Sequence, residues 1–240
     1  MDLKYVPLTG IVVTSLGIIF CLLFAPSYYD DVPDRIMYIS EAGGRYPFLP
    51  LFSFSLSLGG LLIAVLSYIY ADILLARTPT LAKSFGRIPI IIKTVAIVGG
   101  ISLALVGLVS VYDNFLLHSG AAQVFFLLTM ANAYLITYMS HHQTTVLEDS
   151  NPYVSRAKKW GFFRKFICYI MPVFVLPYLF LPTLLKLPWV PGFSAFFQYL
   201  SVLTLILFFI SFRLEFDGIQ ISLSNVGKGL GYLLADDSDE

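Results

Sequence analysis

Six long apolar stretches separated by short polar ones set the rhythm of the chain. They are Val6 to Ala25, Leu49 to Leu75, Ile90 to Tyr112, Phe115 to Met139, Phe162 to Leu185 and Phe193 to Phe212. Each holds about the 20 apolar residues that a helix needs to cross roughly 30 Å of hydrocarbon. The pattern predicts an all-α fold, a polytopic membrane bundle of six transmembrane helices. The second stretch is longer than a crossing requires and is expected to tilt or to lose its last turn to the interface. Asp72 lies in that last part; at mid-bilayer it would cost roughly 3 kcal/mol, so it is expected near the surface. Pro172, Pro177 and Pro182 in the fifth stretch each remove a backbone donor, which predicts a kinked or partly unwound helix and a groove beside it. Asp113, Asn114 and His118 interrupt the join between the third and fourth stretches.

The basic residues orient these spans. With a cytosolic N-terminus, twelve of the fifteen Lys and Arg fall on inner segments and only Arg35, Arg45 and Lys186 on outer ones. That bias places both termini in the cytosol. The first span is read as a retained signal anchor, because Phe24-Ala25-Pro26-Ser27 offers no small-x-small cleavage site. Residues 141–165 form the longest cytosolic loop, with Ser150-Asn151-Pro152 as a turn. No repeat or composition shift divides the chain. Residues 1–240 read as one membrane domain with a short acidic tail from about 216, its Asp236-Asp237-Ser238-Asp239-Glu240 end expected to be solvated and disordered.

Composition sharpens what is excluded. Hydrophobic residues make up 58% and charged residues 12%, the mean hydropathy is +0.80 and the formal net charge is zero. A soluble enzyme, a disordered chain and a nucleic-acid binder are all incompatible with that balance. Cys21 and Cys168 sit in apolar runs without a C-x-x-C partner and read as small buried hydrophobes. Three histidines exist, His118, His141 and His142, and the topology separates the first from the other two by a membrane thickness. A three-histidine zinc site is thereby excluded, and no metal or cofactor is expected. G-x-S-x-G, HExxH and phosphate-binding glycine loops are absent from the sequence, so the reading leans away from an enzyme.

Polar residues within spans are functional suspects, because each needs a partner in hydrocarbon. His118, Ala122, Phe125, Thr129 and Asn132 share one face of the fourth span. Thr129 and Asn132 read as interhelical hydrogen-bond partners, and Gly100-xxx-Ala104 as a close helix contact. His118 lies at the outer surface beside Asp113, and the first outer loop brings Glu41 and Arg45 to the same side. A histidine beside carboxylates can act as acid or base, hold a lipid head group, or simply bond the loop and cap the helix.

Three stretches lie in register with a known pattern. Tyr38-Ile39-Ser40-Glu41-Ala42-Gly43-Gly44-Arg45-Tyr46-Pro47 is similar to an I-S-x-x-G segment followed by proline ahead of a second span. His118-Ser119-Gly120-Ala121-Ala122-Gln123-Val124-Phe125-Phe126 is close to an H-x-x-G-A-x-x-F opening of a fourth span. Glu215-Phe216-Asp217 with Ser222 resembles an acidic-aromatic close. Together they resemble the Frag/DRAM/Sfk family of six-span membrane proteins. The resemblance implies action on membrane lipids in the endomembrane system, such as GPI-anchor lipid remodelling or lipid regulation. Its alternative is a non-enzymatic adaptor that modulates autophagy or recruits a phosphoinositide kinase. The implied residence is a Golgi, endoplasmic-reticulum, lysosomal or plasma membrane. The implied partners are lipids, GPI-anchored proteins, or a cytosolic protein at the 141–165 loop, and no nucleic acid. The positions shared with the family are Ser40, Glu41, Gly43, His118, Gly120 and Ala121. With Asp113 added they form the candidate luminal polar site, in which Gly120 is expected to permit a close approach.

Overall fold

The computed structural model describes residues 5–31, 34–77, 85–146, 152–214, 219–221 and 232–234. Six of its helices are long and apolar enough to cross a membrane. In chain order the described helices are α1 (Tyr5–Tyr28), α2 (Ile39–Gly43), which is too short to span, then α3 (Leu49–Arg77), α4 (Ile88–Leu108), α5 (Phe115–Val146), α6 (Pro152–Leu184) and α7 (Val190–Ile210), which runs into a 3₁₀ turn at Ser211–Leu214. Prolines open α4 and α7 within their first two positions, where a missing amide hydrogen leaves no bond unmade. Among the described residues the one β feature is an antiparallel pair, Ile219–Ile221 with Tyr232–Leu234. The acidic end at 236–240 and the Glu215-to-Ser222 motif lie outside the described residues, save 219–221. The end of the bundle that carries residues 29–48, 109–114 and 185–189 is called outer below, and the opposite end inner.

Two boundaries differ from the hydropathy pattern. α4 stops at Leu108 because Val109 is extended, with φ −101° and ψ 110°, and the amides of Asp113 and Asn114 turn back onto the Ser110 carbonyl. The presumed 141–165 loop is largely helix: α5 continues to Val146 and α6 begins at Pro152. The apolar pattern fades at His141 and His142, yet Gln143 is buried and donates to the Leu74 carbonyl of α3, so the helix is held by a polar contact that hydropathy does not register.

The lateral surface is apolar and much of the polar content is inside. Leu116 is 83% exposed while Ser55, Ser67, Asn132 and Gln198 are buried, the distribution that a hydrocarbon solvent selects. α3 packs most extensively on α4, α4 on α5, α6 on α7, and α1 on α3. At the α3–α4 crossing Gly60 and Gly100 meet backbone to backbone: a Cβ on either would run into the other's carbonyl. This is the close contact expected of small residues spaced four apart. Asn132 Nδ2 donates to Ser67 Oγ at 2.8 Å, linking α5 to α3. Asp72 is not simply at the surface. It forms an ion pair with Lys93 of α4, whose ammonium lies 4.1 Å from the centre of the Tyr68 ring.

The most buried charge is Arg164, wholly inaccessible although only five residues into the apolar part of α6. Its Nε donates to Ser211 Oγ at 2.8 Å and one terminal nitrogen to Tyr70 Oη at 2.7 Å, with Ser140 Oγ at 3.4 Å; the other reaches the Ser211 carbonyl at 3.3 Å. The guanidinium also lies 5.3 Å from the rings of both Tyr70 and Phe212, which stack on one another with centroids 4.5 Å apart. One side chain of α6 thus ties α3, α5 and the turn after α7 together.

α6 remains a continuous helix through Pro172, Pro177 and Pro182. Each proline strands the carbonyl four residues before it, and two of these carbonyls find donors on neighbouring helices. Tyr134 Oη of α5 donates to the Cys168 carbonyl at 2.6 Å, and Ser194 Oγ of α7 to the Tyr178 carbonyl at 2.9 Å. The expected unwinding is absent because neighbours supply the lost bonds. Ser194→Ala is expected to cost about 1 kcal/mol in detergent unfolding, and to cost almost nothing in a Pro182→Ala background, where an amide replaces the hydroxyl. Equal losses in both backgrounds would show that the carbonyl has no need of Ser194.

Candidate functional site

The outer end is closed by the segment between α1 and α3, in which Ser40, Glu41 and Gly43 lie, while Asp113, His118 and Gly120 lie on the 109–114 turn and the start of α5. Three anchors fix the entry to α2. Tyr199 Oη donates to the Met37 carbonyl at 2.9 Å. The Ile39 amide donates to Gln198 Oε1 at 2.9 Å, and Gln198 Nε2 donates to Tyr178 Oη at 3.1 Å. Glu41 sits in the first turn of α2, where its carboxylate accepts the Tyr38 amide at 2.8 Å and both terminal nitrogens of Arg35 at 2.6 and 2.9 Å. A carboxylate at a helix start and a forked arginine are each favourable for charge reasons; together they leave Glu41 engaged by three donors. The partnership pushes the Arg35 guanidinium up, and burial pushes the Tyr38 phenol up.

The exit from α2 is clamped by the 109–114 loop. Ser110 Oγ donates to the Gly44 carbonyl at 2.6 Å. Arg45 lies 3.9 Å above the Tyr112 ring and donates to both carboxylate oxygens of Asp31 at 2.7 Å, while its own carbonyl accepts Tyr29 Oη at 3.0 Å. The hydrogen bond from Arg45 holds the Asp31 carboxyl below the usual carboxylate range. Burial raises the Tyr112 phenol. Gly43 is buried, and a Cβ there would run into the Phe52 ring of α3, so α2 seats directly on the bundle. Ser40 is buried in the same segment.

His118 belongs to a different part of this end. It is 4% exposed, on the first turn of α5, with Nδ1 2.7 Å from the Val109 carbonyl. A carbonyl only accepts, so Nδ1 carries the proton and satisfies an oxygen released where α4 ends. Asn114 caps α5, its Oδ1 accepting the Leu117 amide at 3.0 Å. Asp113 is exposed on the turn. The structure therefore gives His118 a carbonyl partner and Glu41 an arginine partner. The close approach expected at Gly120 is not present, since a Cβ there would meet nothing within 4 Å; the tightly packed glycine is Gly43. Among the described residues no group of three His, Cys, Asp or Glu could hold a metal ion.

Two apolar surfaces lie below this cap. A cleft of about 100 Å³ is walled by α1, α3 and α7, including Gly10, Thr14, Leu62 and Val202. A larger groove of about 960 Å³ runs along α3 and α4, with Gly60, Ala64, Gly100 and Ala104 in its wall and Tyr68 and Asp72 toward its inner end. Gly100 and Ala104, read from the sequence as a close helix contact, make that contact with Gly60 and also border this groove. Their spacing was the available signal, but a small-residue ridge does not by itself tell a filled contact from an open groove.

Residues 2–219 fit the family described as Frag1/DRAM/Sfk1/Cwh43P N-terminal domain. No curated protein and no solved structure matches the chain.

The Asp31–Arg45 clamp has a pH signature. Because Asp31 titrates lower in the folded protein, its contribution is complete above the unfolded carboxylate value of about 3.9 and disappears as pH falls through the folded value. Hydrogen exchange at residues 44–46, corrected for intrinsic rate, is expected to accelerate across that window. Asp31→Asn should remove the step, and a step that survives the substitution would assign it elsewhere.

Proposed function

The chain belongs to the Frag1/DRAM/Sfk1/Cwh43P family, and on that premise we propose that this multi-pass membrane protein handles lipids of the endomembrane system, serving GPI-anchor lipid remodelling by holding a lipid at its lateral surface. The observation that carries the reading is the α3–α4 groove. Its volume of about 960 Å³ lies at the upper end of the range of small-molecule sites. Its wall along α3 and α4 is mostly apolar, with Leu61, Val65, Ile97 and Ile101 in it, so an acyl chain laid there gains apolar contact. The polar residues of the outer end are engaged in holding the cap rather than set up for bond cleavage. Nucleophilic catalysis needs a side chain within reach of a free base, whereas the hydrogen bonds of Glu41 and His118 go to Arg35, Tyr38 and Val109.

A second reading, an adaptor for autophagy or for a phosphoinositide kinase, draws support from exposed Lys158 and Arg213 at the inner end. The two separate in cells lacking the chain. Re-expressing Ala104→Phe, which fills the groove, is expected to leave GPI-anchored proteins with the same unremodelled anchor lipids as the null cells at equal protein level, while the native sequence restores them. Normal anchor lipids in the null cells would end the remodelling reading. Altered autophagic flux in those cells would move the assignment to the adaptor.

A further inference from the structure

A third cavity, of about 620 Å³, lies between the inner ends of α5 and α6, far along both helices from the outer cap. α5 contributes His141, Thr144 and Thr145, and α6 contributes Lys158, Gly161, Phe162 and Lys165. Among the described residues every ionisable group in this lining is basic. The two threonine hydroxyls donate to carbonyls of their own helix, Thr144 to His141 at 2.8 Å and Thr145 to His142 at 2.7 Å. The cationic or ionisable donors on either side of this space are the Lys165 ammonium of α6 and the His141 imidazole of α5. Such a donor set suits an anion that accepts several hydrogen bonds at once, above all a phosphate group.

Gly161 gives an independent indication that this space is kept open. It lies inside a continuous helix, where glycine is about 1 kcal/mol less favourable than alanine. No packing contact demands it, since a Cβ at this position would meet nothing within 4 Å. Its absent side chain instead leaves room at the cavity wall.

The surroundings indicate what kind of phosphate. Phe162 and Tyr169 follow Lys158 and Lys165 on the same face of α6 and are 79% and 74% exposed. Tyr134 and Tyr138 continue the His141 face of α5 and are also exposed. The basic cavity therefore opens onto an aromatic, lipid-facing strip running toward mid-bilayer, where a free ion gains nothing and an acyl chain gains apolar contact.

We propose that this cavity binds the phosphate of an anionic phospholipid, with the acyl chains laid along the aromatic strip between α5 and α6. The site is separate from the α3–α4 groove and does not rest on the function assigned to it.

The test uses the purified full chain in neutral detergent, with retained lipid counted by native mass spectrometry. The probes are phosphatidic acid, phosphatidylcholine, diacylglycerol and inorganic phosphate. Phosphatidic acid is expected to be retained in preference to the other two lipids. Lys165→Gln should weaken retention roughly fivefold, as for loss of one cation near a lipid phosphate, and His141→Gln added to it should weaken it further. Lys165→Arg should restore it. Gly161→Leu should abolish retention with no fall in thermal stability, which separates a filled cavity from a damaged fold. Retention unchanged by Lys165→Gln and Gly161→Leu would overturn the site. Equal retention of diacylglycerol would overturn the role of the phosphate, and full displacement by inorganic phosphate would overturn the role of the chains.

Discussion

A polar group inside a bilayer has no water to turn to, and that constraint organises this molecule. An unsatisfied backbone or side-chain group in hydrocarbon costs several kcal/mol, so the placement of helices follows from who can pair with whom. Arg164 is the clearest case: its guanidinium spreads over Tyr70, Ser140 and Ser211 and so sets the spacing of α3, α5, α6 and the turn after α7. The same rule accounts for two of the three prolines in the unbroken α6. Tyr134 and Ser194 return the bonds that Pro172 and Pro182 remove, which also fixes the rotation of α5 and α7 about their own axes. Asp72 and Lys93 apply the rule to α3 and α4.

At the outer end this pairing changes what the polar residues mean. Glu41 and His118 have the composition of an acid–base couple, yet each is engaged locally: Glu41 with Arg35 and the start of α2, His118 with the frayed end of α4. Loop, clamp and helix start together make a cap that joins the 29–48 segment to α6 and α7 through Gln198, Tyr178 and Tyr199. Open space lies elsewhere, along the sides of α3 and α4 and between the inner ends of α5 and α6. A capped bundle with lateral grooves is suited to receiving molecules from within the membrane plane.

The six crossings were legible in the sequence because hydropathy sums over 20 residues and tolerates single exceptions. What it cannot register is a partner on another helix. Arg164 read as one more inner-loop charge, and nothing in its neighbours Phe163 and Lys165 distinguishes it; Tyr70 and Ser211 stand 94 and 47 residues away. Gln143 extended α5 past its apolar run for the same reason. The glycines show the limit most plainly. Gly43 and Gly120 both sit in family-like motifs, but Phe52 crowds the first while nothing approaches the second. Gly161, inside what read as a loop, lines a cavity that only the packing of α5 on α6 creates.

The dependence of the bundle on its interior polar pairing is tested most directly by a double-mutant cycle between Arg164 and Tyr70, read as reversible unfolding in lipid bicelles. Arg164→Met should lower stability by on the order of 3 kcal/mol, since it removes the charged hydrogen bonds that tie α6 to Tyr70, Ser140 and Ser211. Tyr70→Phe should lower it by about 1 kcal/mol more in the native background than once Arg164 is gone, the difference being the coupling between the two side chains. Losses that simply add, or an Arg164→Met protein as stable as the native one, would contradict the account.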